Sequence, residues 1–287
     1  MDIPGEIIID PKTFLKEQFT LPPLPEIVLN IQKTINSSDA TVNNISALIK
    51  RDPSLTAQVL KVVNSAYYGF RNEVSDIKFA VAYLGIHEIY NMVLSFSVVD
   101  TLGVNNSSEL EDFWTHSIFT ALCAKVLTKK FEPLLEPGQV WIGALLHDIG
   151  KLVYFKFFPA HFHAILNHAK KRGQLYEEIE KKLPIPSSAY IGTLLCQRWG
   201  LPSIVAEACE AHTPGTITAE NPSINDYKKI IFGANLMAVF AAEELSSETK
   251  KKVFQTLSSL FIIEEDPLME FMGKMYDLKK EVEKYKW

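Results

Sequence analysis

Cysteine is scarce: the 287 residues hold three, Cys123, Cys196 and Cys209, widely spaced and with no CxxC pair. An odd, scattered set fits a reducing compartment, where buried thiols act as small hydrophobes. Cationic excess is also missing. Lys and Arg number 29 against 34 Asp and Glu, for a net charge of -5. Nothing in that balance favours tight binding to phosphate backbones, so nucleic acid is not an expected partner. No basic segment followed by an apolar run opens the sequence, so no signal peptide is expected in it. The most apolar stretch, Phe79 to Val99, is interrupted by His87, Glu88 and Asn91. That pattern predicts a buried helix and no membrane contact. A cytoplasmic location follows by elimination. Strand alternation, Asn-Gly or Asp-Gly turns, internal repeats and low-complexity linkers are all absent.

What the chain does have is helical periodicity and enough apolar residues, 47% of the total, to bury a large core. Ile27, Val28, Ile31 and Ile35 recur at helical spacing after Pro25, and Asn36-Ser37-Ser38 ends that run. A short helix follows over Val42 to Lys50. Asp52 reads as an N-cap and Pro53 as the first helical residue, ahead of a stripe of Leu55, Val59, Val62, Val63 and Ala66. Gly69 is expected to end this helix in a left-handed conformation. Ser75 and Asp76 cap the next helix, and Gly85 marks a junction between two. A polar break, Gly103 to Ser108, divides the chain. Beyond it, helices are predicted over Glu111 to Phe131, Val140 to Phe157, Phe162 to Arg172, Glu177 to Lys182, Ser187 to Trp199, Ser203 to His212 and Tyr227 to Leu245. One or two more occupy the tail from Ser246. The fold expected is all-α, with two helical lobes meeting near the polar break.

The sharpest chemical feature is Gly143-Ala-Leu-Leu-His147-Asp148-Ile-Gly150-Lys151. An imidazole beside a carboxylate can bind one divalent metal, and His116 on the preceding long helix is the natural third ligand. Taken alone, a His-Asp pair occurs by chance and serves capping or hydrogen bonding as readily. His116 is either a ligand or a buried histidine bonded to Asp148. Lys151 is spaced for a helical ion pair with Asp148. His212 ends a helix and suits its dipole. His161, His163 and His168 read as surface or packing residues, Asp52 and Asn64 as capping and turn residues. Tyr67, Tyr68, Trp114 and Trp199 belong to the core or the lobe interface.

The string from His147 to Lys151, with His116 about thirty residues upstream, resembles the HD superfamily of metal-dependent phosphohydrolases. Other pieces resemble one branch of it, the HDOD domains. These are Leu21-Pro-Pro-Leu-Pro25, Asp52-Pro53-Ser-Leu-Thr56, Asn64-Ser65-Ala-Tyr-Tyr-Gly69, Ala82-Tyr-Leu-Gly85, Trp114-Thr-His116-Ser117, Glu180, Ile191-Gly192 and Trp199-Gly-Leu-Pro202. The resemblance spans roughly residues 19–215. It implies a two-lobed helical bundle with the HD-type core in the second lobe, and a role in bacterial signal transduction. The implied organisation is an N-terminal segment 1–18, a domain 19–215 with lobes of about 19–103 and 109–215, and C-terminal helices 216–287 completing the second lobe.

The resemblance also implies that the metal site is degenerate. His116, His147 and Asp148 match the first ligands of a working site. The next histidine, in a His-Ala-x-x-Gly pattern, falls on Ser188; a later His-His pair reads Ala211-His212; the distant aspartate falls on Asn235. Asn keeps an oxygen but loses the charge, and the lost imidazoles remove most of a second-metal site. Hydrolysis needs a metal-bound water of lowered pKa. The expectation is therefore a stand-alone regulatory module that works with other signalling proteins and requires no cofactor. A weakly held Fe, Zn, Mn or Mg remains compatible, with Lys151, Glu180 and His212 as further pocket candidates. The rival readings are a metal-dependent phosphohydrolase and a sensor that binds a nucleotide without cleaving it.

Overall fold

Local capping chemistry sets where the helices start. The computed structural model describes residues 7, 21–65, 68–104, 108–211 and 225–283, with side chains as far as 280. In the first lobe α1 (Glu26–Ile35) leads to α2 (Val42–Ile49), α3 (Pro53–Val63), α4 (Ile77–Leu84) and α5 (Ile86–Thr101). Asp52 accepts a hydrogen bond from the Leu55 amide at 3.0 Å, and Asp76 one from Lys78 at 3.0 Å. Each such cap contributes about 1 kcal/mol. The helix α3 ends at Val63, earlier than the expected stop at Gly69. Asn64 is the reason: its side chain turns out of the helix to accept from the Val74 amide (2.7 Å) and donate to the Val74 carbonyl (2.9 Å). Gly69 does adopt a positive φ of 63°, but in the loop beyond. Ala66 and Tyr67 lie outside the described residues.

The second lobe is built on α6 (Ser108–Phe131), which packs along α7 (Pro137–Leu146), α13 (Asp226–Ala242) and α15 (Glu265–Glu283). Around these stand α8 (Ile149–Phe157), α9 (Pro159–Arg172), α10 (Tyr176–Glu180), α11 (Ser188–Trp199), α12 (Ser203–Ala211) and α14 (Ser247–Phe261). Among the described residues every regular element is a helix, so the fold is all-α as expected. The lobes meet where α5 packs on α7, and one continuous apolar core runs from Val28 and Ile31 in α1 to Leu268 and Met275 in α15. Trp114 is part of it, with its ring 5.0 Å from that of Phe96. At the lobe boundary Lys125 of α6 pairs with Glu88 of α5, both about nine-tenths buried, and lies over the Trp141 ring at 4.5 Å. The Tyr68 hydroxyl joins them, 3.2 Å from Glu88. The Trp199 indole donates to the Pro22 carbonyl at 3.1 Å, tying the first described segment to the second lobe.

Among the described residues no single helix is long and apolar enough to cross a membrane. The α4–α5 pair reaches the length and composition together, but it bends by 119° at Gly85, whose φ is +90°. The helix α5 buries its apolar residues from Ile89 to Val99, as the Phe79–Val99 pattern suggested, but α4 buries only Ile77, Ala80 and Val81 and leaves Phe79 and Tyr83 exposed.

Candidate functional site

The segment predicted as one helix from Val140 to Phe157 is two. The helix α7 closes at Leu146, the chain turns at His147 and Asp148, and α8 begins at Ile149. Asp148 sits at φ -98°, ψ 12°, the bridge region that joins turns to helices. The apolar residues continue across the break, which is why periodicity did not reveal it. Cys209 closes one end of the turn from below, its thiol 3.8 Å from the Leu146 carbonyl. The bond with Cys196, reinforced by burial, holds the Cys209 thiol well above its ordinary range. All three cysteines are buried and free.

The break brings three donors together. His116 of α6 has its Nε2 3.4 Å from His147 Nε2 and 3.4 Å from Asp148 Oδ2; His147 Nε2 is 3.5 Å from the same oxygen. A tetrahedral ion with bonds of about 2.1 Å separates its ligands by about 3.4 Å, so this nearly equilateral triangle has the dimensions of one tetrahedral face. The protonation states suit that task. The Nδ1 of His147 is 2.7 Å from the Ala144 carbonyl. A carbonyl only accepts, so Nδ1 donates to it and Nε2 is the ring nitrogen turned towards the triangle. Burial pushes the His116 imidazole down to about 3, against the opposing pull of Asp148, so the ring is neutral. Two imidazoles and one carboxylate form a competent set for one divalent metal.

Beyond the triangle lies a layer that is already committed. The Lys151 ammonium is 2.9 Å from Asp148 Oδ2 and 2.6 Å from Glu177 Oε1, and it lies over the Tyr176 ring at 4.9 Å. Burial alone would discharge it, but Asp148 and Glu177 outweigh burial and hold it charged. Glu180 accepts from the Ser188 amide (2.9 Å) and from its hydroxyl (3.2 Å). Burial, helped by Glu177, raises the Glu180 carboxyl to about 7, although the Ser188 bonds oppose this. Burial at the end of α13 pushes the Glu243 carboxyl up to about 7, with Lys151 opposing the rise and Glu177 and Asp148 adding to it.

Of the residues singled out in the sequence, His116, His147, Asp148 and Lys151 converge, and Glu180 meets Ser188 one layer away. Ala211 is buried at the end of α12 and offers only a methyl group. Asn235 is buried on α13, the helix that packs along α6, and its Oδ1 finds no hydrogen-bond partner among the described residues. His212 lies outside the described residues. His163 packs against Phe155 and Phe162, His161 against Phe158; none joins the cluster. Glu177 and Tyr176 were missed. The available signal was that Glu177 and Glu180 are three residues apart, on one face of a short helix.

A family model described as the HDOD domain matches residues 21–214. A curated protein of Treponema pallidum (strain Nichols), itself uncharacterized, is 28% identical over 192 residues, 67% of this chain and 37% of its own length. The chain thus spans little more than a third of that relative. An HDOD domain protein of unknown function from Geobacter sulfurreducens is 20% identical, with a TM-score of 0.69 and 95% of each chain covered. A candidate phosphohydrolase from Shewanella amazonensis SB2B is 24% identical, with a TM-score of 0.68, covering 96% of this chain and 97% of its own. A candidate signal transduction protein from Marinobacter aquaeolei VT8 is 21% identical, with a TM-score of 0.70, covering 98% of this chain and 62% of its own. At these identities the three crystal structures speak for the fold alone. With the family match over most of its length and the His116–His147–Asp148 triangle in place, this chain belongs to the HDOD domain family.

Proposed function

We propose that this chain is a regulatory module of signal transduction, acting in the cytoplasm through other signalling proteins, with an HD site that holds at most one divalent ion and does not hydrolyse phosphoesters. One observation carries the reading. The carboxylates next to the triangle are engaged within the protein, Glu177 by Lys151 and Glu180 by Ser188. They are therefore poorly placed to serve a second ion. Ser188 and Ala211 bring no imidazole, and Asn235 brings an oxygen without charge. His116, His147 and Asp148 would hold the single ion. Such an ion lowers the pKa of a bound water and polarises a phosphoryl oxygen, but three donors without further charged support make that a weak basis for turnover.

A second reading, a metal-dependent phosphohydrolase, draws on the tetrahedral dimensions of the triangle. The deciding experiment is elemental analysis of the purified protein, followed by assays with added Mn, Fe, Zn or Mg against a phosphomonoester and a cyclic dinucleotide. The expected result is no more than one equivalent of metal and no turnover. Metal-dependent turnover of about 1 per second or faster would establish the enzyme. Binding of the nucleotide without cleavage would add a ligand to the regulatory reading.

A further inference from the structure

Helix α15 buries Leu268, Phe271, Met272 and Met275 against the protein. The face beside it presents Glu265, Met269, Gly273, Tyr276 and Lys280, all exposed. At 3.6 residues per turn these five fall within an arc of about 80°. Met269 is 60% exposed and Tyr276 48%, which leaves two large apolar side chains on a surface that the described residues do not cover. Gly273 lies between them. Glycine is the poorest helix former after proline, and here no atom lies within 4 Å of where a Cβ would stand. Packing inside the chain therefore gives no reason for it. Close approach of another backbone does.

The stripe matches itself when reversed. Turned end for end about a point between Met272 and Gly273, Glu265 comes opposite Lys280 and Met269 opposite Tyr276. We propose that this face of α15 pairs with the same face of a second copy, antiparallel, with the twofold axis beside Gly273. In such an isologous contact each pairing occurs twice. The two apolar pairs flank the glycines, where the backbones come closest, and the two ion pairs close the ends. Antiparallel helices also oppose their dipoles favourably. Within the chain Lys280 is 3.5 Å from Asp277 and lies over the Tyr276 ring at 4.7 Å. Exposed contacts of that kind are weak and give way to a better partner.

The test is sedimentation equilibrium of the full chain, from about 1 to 200 µM, a range that brackets micromolar dimers. Wild type should move from the 32.4 kDa monomer towards twice that mass. Glu265→Lys and Lys280→Glu should each weaken the dimer about tenfold or more, since each sets like charges against one another twice. The double variant restores opposite charges and should return to near wild-type affinity. Gly273→Leu should weaken the dimer while leaving the dilute monomer at least as resistant to heat, which separates loss of contact from loss of fold. A monomer at every concentration overturns the proposal. So does a dimer indifferent to both single reversals, or a double variant no better than the singles.

Discussion

Gly150 and Ser188 approach so closely that a Cβ on the glycine would stand 1.9 Å from the serine's carbonyl oxygen. The same contact continues through Gly192, so α8 and α11 touch through their backbones. This closeness sets the N-terminus of α11 beside Glu180, and Glu180 then holds Ser188 by two hydrogen bonds. The glycine of the His-Asp-Ile-Gly-Lys string thus positions a helix; it does no chemistry. Gly150→Ala should destabilise the fold by about 2–4 kcal/mol, at or above the upper end of overpacking, because the obstacle is backbone. Denaturant unfolding measures it, and a loss under about 0.5 kcal/mol would show that the two helices separate easily.

These relationships differ in how far they could be read from the sequence. The caps at Asp52 and Asp76 and the apolar faces are local, and local chemistry determines them. His116, His147 and Asp148 were legible because a dipeptide and one upstream histidine carry a pattern. The turn at His147 was hidden, since Leu145, Leu146, Ile149 and Leu152 keep an apolar period through it. Glu177 was hidden for another reason. Its partner Lys151 is chosen by how α8 and α10 are set in space, and spacing along the chain does not encode that.

Glu180 predicts a pH dependence. Its carboxyl is raised from the ordinary 4.5 to about 7, first by burial. A raised folded-state pKa means that its contribution is complete below about pH 4.5 and is lost as pH climbs through 7. Glu180→Gln keeps an acceptor for the Ser188 amide and removes the titration. The stability of wild type relative to this variant should fall by about 3 kcal/mol between pH 4.5 and 8. His116 acts with the opposite sign. Its pKa is depressed to about 3, so its contribution is present above 6.5 and is lost towards pH 3. It is common to both proteins and cancels in the difference. A flat difference, followed by chemical unfolding at several pH values, would mean that Glu180 is hydrated.

Ile262 ends α14 at φ 50°, ψ 53°, a left-handed conformation that a β-branched residue adopts at a cost, and its side chain is 95% exposed. Among the described residues nothing is gained there. Ile262→Gly should raise stability by about 1 kcal/mol, the difference between relieved strain and the greater entropy of an unfolded glycine. A lower midpoint in thermal unfolding would show that the side chain contributes to the fold.

Glu88 and Lys125 join the lobes in a nearly dry setting. Glu88→Ala removes the carboxylate that pairs with the ammonium and leaves it the Tyr68 hydroxyl and the Trp141 ring, and should cost about 3–5 kcal/mol. Because one apolar core crosses the boundary, the whole chain should still unfold in a single transition, shifted downwards. Two separate transitions, assigned to the lobes by limited proteolysis, would show that α5 and α7 only rest on each other.

Asp148 separates the readings of the site. Its Oδ2 serves three neighbours, His116, His147 and Lys151. In Asp148→Ala the Lys151 ammonium keeps Glu177, so the loss is smaller than for an isolated buried pair. About 1–4 kcal/mol is expected in the absence of metal. If the triangle binds an ion, wild type gains further stability from added metal, about 2.7 kcal/mol at a hundredfold excess over Kd. A chelator should remove that increment, and Asp148→Ala should never show it, since two imidazoles alone make a poor site. The regulatory reading expects the metal-free loss with no change in any hydrolytic rate, because there is none to change. Asp148→Ala with unchanged metal-free stability, abolished metal binding and abolished turnover would instead mark the aspartate as a ligand of a working enzyme. Thermal unfolding with and without chelator, alongside elemental analysis of both proteins, separates these outcomes.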